Sequence, residues 1–157
     1  MNPSMNPKRK PAFLIVAIVF VMFGVIGLFR FNAQSEAEPA ADAGPTVYFI
    51  APHDGNTVTS PVHVVFGLKG MGVAPAGVDK ANTGHHHLLI DRPPLSGDEL
   101  HESMPADEHL KHFGGGQTET ELELTPGTHT LQLVVGDMNH IPLDPPVMSD
   151  VITITVK

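Results

Sequence analysis

After residue 45, every apolar run in this 157-residue chain is short and closed by Gly, Pro, Asn or Asp, which leaves room for strands and little for helices. The runs are Thr46–Ile50, Val62–Phe66, His86–Asp91, Thr118–Leu124, His129–Val135 and Val151–Val156. Each is rich in β-branched residues or alternates apolar with polar positions, as a half-buried strand does. Pro52-His53-Asp54-Gly55-Asn56 suits a turn between the first two strands, and Thr125-Pro126-Gly127 suits the turn of a later hairpin. Short strands in this number predict an all-β fold, an antiparallel β-sandwich.

One short helix is expected beside them. Ser103 is its cap, Pro105 lies in its first turn with Asp107 and Glu108 behind, and Lys111 and His112 occupy its last turn before Gly114.

The first 45 residues follow other rules. Lys8-Arg9-Lys10 and Pro11 precede eighteen unbroken apolar residues, Ala12–Phe29, closed by Arg30. As a helix that run would extend about 27 Å, close to the hydrocarbon thickness of a bilayer. A cleaved signal peptide has a shorter apolar core, about 7–15 residues, and a small-x-small site just after it. Phe31-Asn32-Ala33 has a bulky residue where a small one is needed, and Ala41-Asp42-Ala43 lies too far downstream. Residues 1–11 therefore read as a basic cytoplasmic N-terminus and 12–30 as a single transmembrane anchor, with a signal segment as the competing reading. Residues 31–45, rich in Ala, Glu and Pro, read as a flexible linker, and 46–157 as the domain. Basic residues stay on the cytoplasmic side, so the domain is expected outside the inner membrane, in the periplasm of a Gram-negative cell. Cleavage would release it into that same compartment.

Five Lys or Arg face fourteen Asp or Glu between Thr46 and Lys157. Such an acidic domain is poorly suited to nucleic acid, whose phosphates need basic side chains. The membrane is the expected partner of residues 12–30, and no protein partner is indicated. The chain has no cysteine, which removes thiolate metal sites, blue-copper sites and cysteine nucleophiles.

Ten histidines carry the chemical interest. Gly84-His85-His86-His87-Leu88-Leu89-Ile90-Asp91 reads as a central strand, and strand side chains alternate between faces. His86, Leu88 and Ile90 share the more apolar face, while His85 and His87 stand together on the other, about 6–7 Å apart along the strand. Two imidazoles at that spacing can grip one ion, and imidazole suits copper and zinc. His109 and His112 would share a face of the expected helix, and His140 follows Gly136-Asp137-Met138-Asn139 in a loop. Met104, Met138 and Met148 offer soft thioethers that would favour Cu(I). Asp91 and Asp137 are placed to orient imidazoles from behind, as carboxylates do around metal-bound histidine. The plainer reading is that these histidines pack, bond to backbone or face solvent, and His53, His63 and His129 are assigned that structural role.

Enzyme signatures are sparse. No serine lies in a Gly-x-Ser-x-Gly elbow, and His-Glu-x-x-His does not occur. The segment His112–Glu119 lacks the Lys-Ser/Thr ending of a phosphate-binding loop, so its glycines are assigned to backbone freedom or close approach.

The chain from Val58 onward resembles the bacterial domain-of-unknown-function 4399 family. Residues that carry the resemblance are Thr59-Ser60-Pro61-Val62, Gly70 to Gly77, Asn82 to Asp91, Pro105 to Glu108, Phe113 to Glu119, Pro126 to Leu133, Gly136-Asp137, His140-Ile141-Pro142 and Pro145-Pro146-Val147. The resemblance implies an exported or anchored single domain of immunoglobulin-like architecture and brings no established activity. The family pattern places a histidine where this chain has Leu143, which leaves His140 as the loop's only imidazole.

The expectation is a membrane-anchored, extracytoplasmic binding module whose ligand is copper or zinc, held by His85, His87, His109, His112 and His140. An envelope-scaffolding or protein-interaction module without metal is the alternative. A metal-dependent hydrolase ranks below both, and no catalytic residue is assigned.

Overall fold

The computed structural model describes residues 44–157, and the basic N-terminus, the anchor and most of the linker lie outside the described residues. Nine strands follow in order: β1 (Thr46–Ala51), β2 (Thr57–Val58), β3 (Val62–Lys69), β4 (Gly72–Val73), β5 (Thr83–Ile90), β6 (Leu110–His112), β7 (Glu119–Leu122), β8 (Gly127–Gly136) and β9 (Ile152–Val156). Among the described residues no helix is long and apolar enough to cross a membrane.

The strands form two sheets. One has three strands in the order β1-β3-β7, and the other runs β2-β9-β8-β5-β4, with β6 also paired to β5. Val47, Val62, Val64, Phe66 and Leu122 of the smaller sheet pack in one core with Leu88, Ile90, Leu131, Leu133, Val135 and Ile154 of the larger. Alternation along each strand puts these side chains on facing surfaces, and each Leu, Ile or Val so buried contributes about 1.5–3 kcal/mol. All six expected strands are present, which makes the domain all-β. The main ladders are antiparallel, but β2 with β9 and β4 with β5 are short parallel pairs.

Two local expectations are corrected. The turn Thr125-Pro126-Gly127 does not close a hairpin: β7 pairs with β3, whereas β8 pairs with β5 and β9, so this turn carries the chain from one sheet to the other. No helix forms from Ser103 to His112. Leu110–His112 is extended along β5, with His87 opposite His112 and Leu89 opposite Leu110. That edge of β5 is buried, so its backbone groups need partners, and satisfying them outweighs local helix preference. The Asp107 carboxylate instead accepts the His109 N–H at 2.7 Å, while the Asp107 N–H donates to the Leu110 carbonyl at 2.9 Å, making a turn. The helical turn lies earlier, a 3₁₀ segment at Gly97–His101, where Glu99 accepts from the Ser96 N–H and pairs with Arg92 at 2.8 Å.

The segment from Arg92 to His109 covers the outer face of the larger sheet. Leu95 and Met104 pack there with Leu89, Leu110 and Val134 in a second apolar cluster. Strand β5 is therefore buried on both faces, which is why its second half reads as unbroken aliphatic sequence.

Candidate metal centre

Three chain segments bring four imidazoles together. His85 and His87 stand on the outer face of β5, as alternation predicts, but beneath other chain rather than in solvent: both are fully buried. His112 comes from β6, directly opposite His87 in the ladder. His140 comes from the loop after β8. The rings of His85, His87 and His112 form a near-equilateral triangle, with centres 4.8, 4.9 and 5.1 Å apart. His140 lies 4.5 Å from His112, 5.1 Å from His85 and 6.1 Å from His87. One nitrogen from each of His85, His87 and His112 falls within 4.8 Å of the other two.

Five buried ring nitrogens of this cluster lack well-formed protein partners. Neither ring nitrogen of His85 or His87, nor Nε2 of His112, makes a well-formed hydrogen bond among the described residues, although all are buried; only the His85 backbone approaches the His87 ring. A neutral imidazole has one N–H donor and one lone pair, and each left unsatisfied in the interior costs about 1–3 kcal/mol. An ion shared among the lone pairs would satisfy several of them together.

Burial keeps the His85, His87 and His112 rings neutral. Burial, then the nearness of His112 and His140, pushes His85 down to about 4, with Asp137 pulling weakly upward. Burial and the same neighbours, together with His85, push His87 down to about 3. His112 is lowered as well, first by burial and then by His140. Near neutral pH these rings hold unprotonated lone pairs, the form that binds metal.

Two glycines make room for the rings. A Cβ on Gly114 would overlap the His112 imidazole, and one on Gly136 would come within 2.7 Å of His87 Cε1 and 3.0 Å of Met104 Cε. Close approach, one of the two roles expected of the glycine run, is the role of Gly114. Gly136 sits opposite His85 in the β5–β8 ladder, a placement that only the strand register reveals.

Asp137 shapes the His140 loop through backbone rather than through an imidazole. Its Oδ1 accepts the N–H groups of Asn139 at 2.8 Å and Ile141 at 2.9 Å. His140 itself has φ of 68°, a left-handed conformation, and its carbonyl accepts the Met104 N–H at 2.9 Å. The covering segment is thereby pinned to the loop that carries the fourth ring.

The remaining expected residues lie elsewhere. His109 belongs to no helix face shared with His112; its Nδ1 donates to the Ile90 carbonyl at 2.9 Å and its ring is half exposed. Asp91 orients no imidazole of the cluster. It accepts from His129 Nδ1 at 2.7 Å and from the Thr130 N–H at 2.8 Å, clasping the end of β5 to β8. His129 Nε2 donates to the Thr125 carbonyl at 2.8 Å, which gives His129 the structural role expected of it. His86 faces the main core against Phe66, with ring centres 5.2 Å apart, on the opposite side of β5 from the cluster.

The sequence profile of a family described as Domain of unknown function (DUF4399) matches residues 64–157. No curated protein matches the chain. Among solved structures, the X-ray structure of the endo-β-1,4-mannanase from Thermotoga petrophila is similar over 75% of this chain, at 18% sequence identity and a TM-score of 0.43. The match spans 21% of the mannanase chain, and a likeness at that score carries no argument about activity.

Proposed function

The chain belongs to the DUF4399 family, whose match runs from β3 through all four clustered histidines to the last strand, and from that premise we propose that its domain is a metal-binding module. The reading is an immunoglobulin-like β-sandwich, tethered outside the cytoplasmic membrane by residues 12–30, that binds one copper or zinc ion through His85, His87, His112 and His140. One observation carries it: imidazoles from three separate segments converge, and five of their buried nitrogens make no well-formed hydrogen bond to protein. Buried polar atoms are nearly always paired; His86 also has unpartnered ring nitrogens but stands alone against Phe66, so the convergence of the other four is what points to a shared ion.

The deciding measurement is a titration of the full-length, untagged chain in detergent with Zn2+ and with copper, after chelation. One ion per chain is expected, with binding lost in His85→Ala/His87→Ala and retained in His53→Ala. Absence of tight binding by the parent chain would sink the reading. The envelope-interaction alternative draws on Tyr48 and Ile50, which are half exposed on the edge strand β1. It would be favoured if the parent chain binds no metal and the Tyr48→Ser/Ile50→Ser variant loses a partner that the parent chain retains.

Placement outside the membrane rests on Lys8-Arg9-Lys10 preceding the apolar run. A reporter enzyme that folds only outside the cytoplasm, fused after Lys157, is expected to be active, and an inactive but stable fusion would reverse the orientation.

A further inference from the structure

We propose that the centre is a three-histidine tripod for a non-planar d10 ion, Zn2+ or Cu+, built by His85, His87 and His112 and completed from the loop by His140. This rests on the metal-binding reading above and adds the class of ion and the rank of each ligand.

The argument is geometric. A first-row ion sits about 2.0–2.1 Å from an imidazole nitrogen, which places each ring centre about 3.2 Å from the ion. Three ligands of a square plane then have ring centres about 4.5, 4.5 and 6.4 Å apart, because one pair must lie across the ion. Three ligands on one face of a tetrahedron have all three separations near about 5.2 Å. The observed separations are 4.8, 4.9 and 5.1 Å, with no long edge. Adding His140 does not restore a plane. A square of four needs two long diagonals that share no ring, and here His87–His140 is 6.1 Å while its complement, His85–His112, is 4.9 Å.

The backbone explains why the triangle is rigid. His85 and His87 are two residues apart on one face of β5, and His112 stands beside His87 on the adjoining strand. Three side chains rising from neighbouring positions of one sheet face, their nitrogens within 4.8 Å of one another, can close by ring rotation on one point above it as a tripod. With no carboxylate or thiolate in the set, four imidazole ligands suit borderline and soft ions. His140 differs from the other three because it rides on a loop rather than a paired strand, so it completes the centre without defining it.

Without geometric selection, Cu2+ outcompetes Zn2+ at nitrogen ligands. The tripod is expected to narrow that preference, and the full-length chain tests it with three probes: Zn2+, Cu2+, and Cu+ kept reduced by ascorbate. Expected are stoichiometric Zn2+ and Cu+, X-ray absorption showing nitrogen ligands near about 2.0 Å, and, for any Cu2+ bound, a strongly rhombic electron paramagnetic resonance spectrum. His140→Ala should weaken Zn2+ binding more than about tenfold yet keep one ion per chain, whereas His112→Ala should abolish stoichiometric binding. An axial Cu2+ spectrum from four coplanar nitrogens, or His140→Ala being as damaging as His112→Ala, would overturn the tripod while leaving metal binding intact. A chain that binds none of the three ions overturns both.

Discussion

Gly114 shows how a single hydrogen atom can matter at this site. The His112 ring occupies the space a Cβ would take, and a side-chain tip moves more cheaply than backbone. Gly114→Ala, which also crowds Ala76 Cβ at 3.2 Å, is therefore expected to lower the urea midpoint only modestly while weakening Zn2+ binding more than about tenfold. Equal affinity in parent and variant would contradict the placement of His112 in the centre. His129 makes a second, independent prediction. Both of its ring nitrogens face acceptors, the Asp91 carboxylate and the Thr125 carbonyl, so the protonated ring is the form that makes both bonds and its pKa is raised, chiefly by Asp91. A raised folded pKa contributes stability that is fully present below the unfolded value of 6.5 and is lost as pH climbs through the folded one. His129→Gln should accordingly be more destabilising at about pH 6 than at about pH 9, measured as the difference in unfolding free energy from the parent chain. At this scale the His85–His87 pair was legible because strand alternation is a local rule. His112 was legible as a companion of that pair but was given a helix, because its place beside His87 depends on a ladder between residues 25 positions apart.

Strand β5 carries the design at the level of elements. It is paired on one side by β8 and on the other by β6 and β4, so two outward histidines can be buried without disturbing the main core. Leu133, opposite Leu88 in the β5–β8 ladder, is wholly inside that core. Leu133→Ala should cost about 2–5 kcal/mol in equilibrium unfolding, and a loss well under about 1 kcal/mol would mean that the core is not where these contacts place it. The six longer strands were readable because each shows several periods of β-branched or alternating residues. Strands β2, β4 and β6 were not, since two or three residues are too few to show any period. The segment Ser103–His112 failed as a helix for a different reason: its Ser, Asp and Pro suit a helix start and a turn equally well, and the unpaired edge of β5 decided between them.

For the molecule as a whole, the proposed ion binding would be linked to folding. An ion at about a hundred times its Kd adds about 2.7 kcal/mol, enough to raise Tm by roughly 10 °C in a domain of this size. Calorimetry of the full-length chain with and without Zn2+ should show that rise, and its reversal by a chelator. Without the ion, His85 and His87 resist protonation in the fold, at about 4 and about 3, yet take protons near 6.5 once unfolded. The metal-free protein should therefore lose stability as pH falls from about 6.5 towards about 4, and an unfolding midpoint that stays flat across that window would count against the burial of these rings.

The chain has no cysteine, and the four imidazoles come from β5, β6 and the loop after β8. An ion held among them closes the chain between His85 and His140 into linked loops, as a disulfide would in a neighbouring secreted protein. Unlike a disulfide, that cross-link needs no oxidant to form and no reductant to undo. On the metal-binding reading it would fasten when the ion arrives and open when a stronger chelator removes it, so the metal supply around the domain would set how firmly it is stapled.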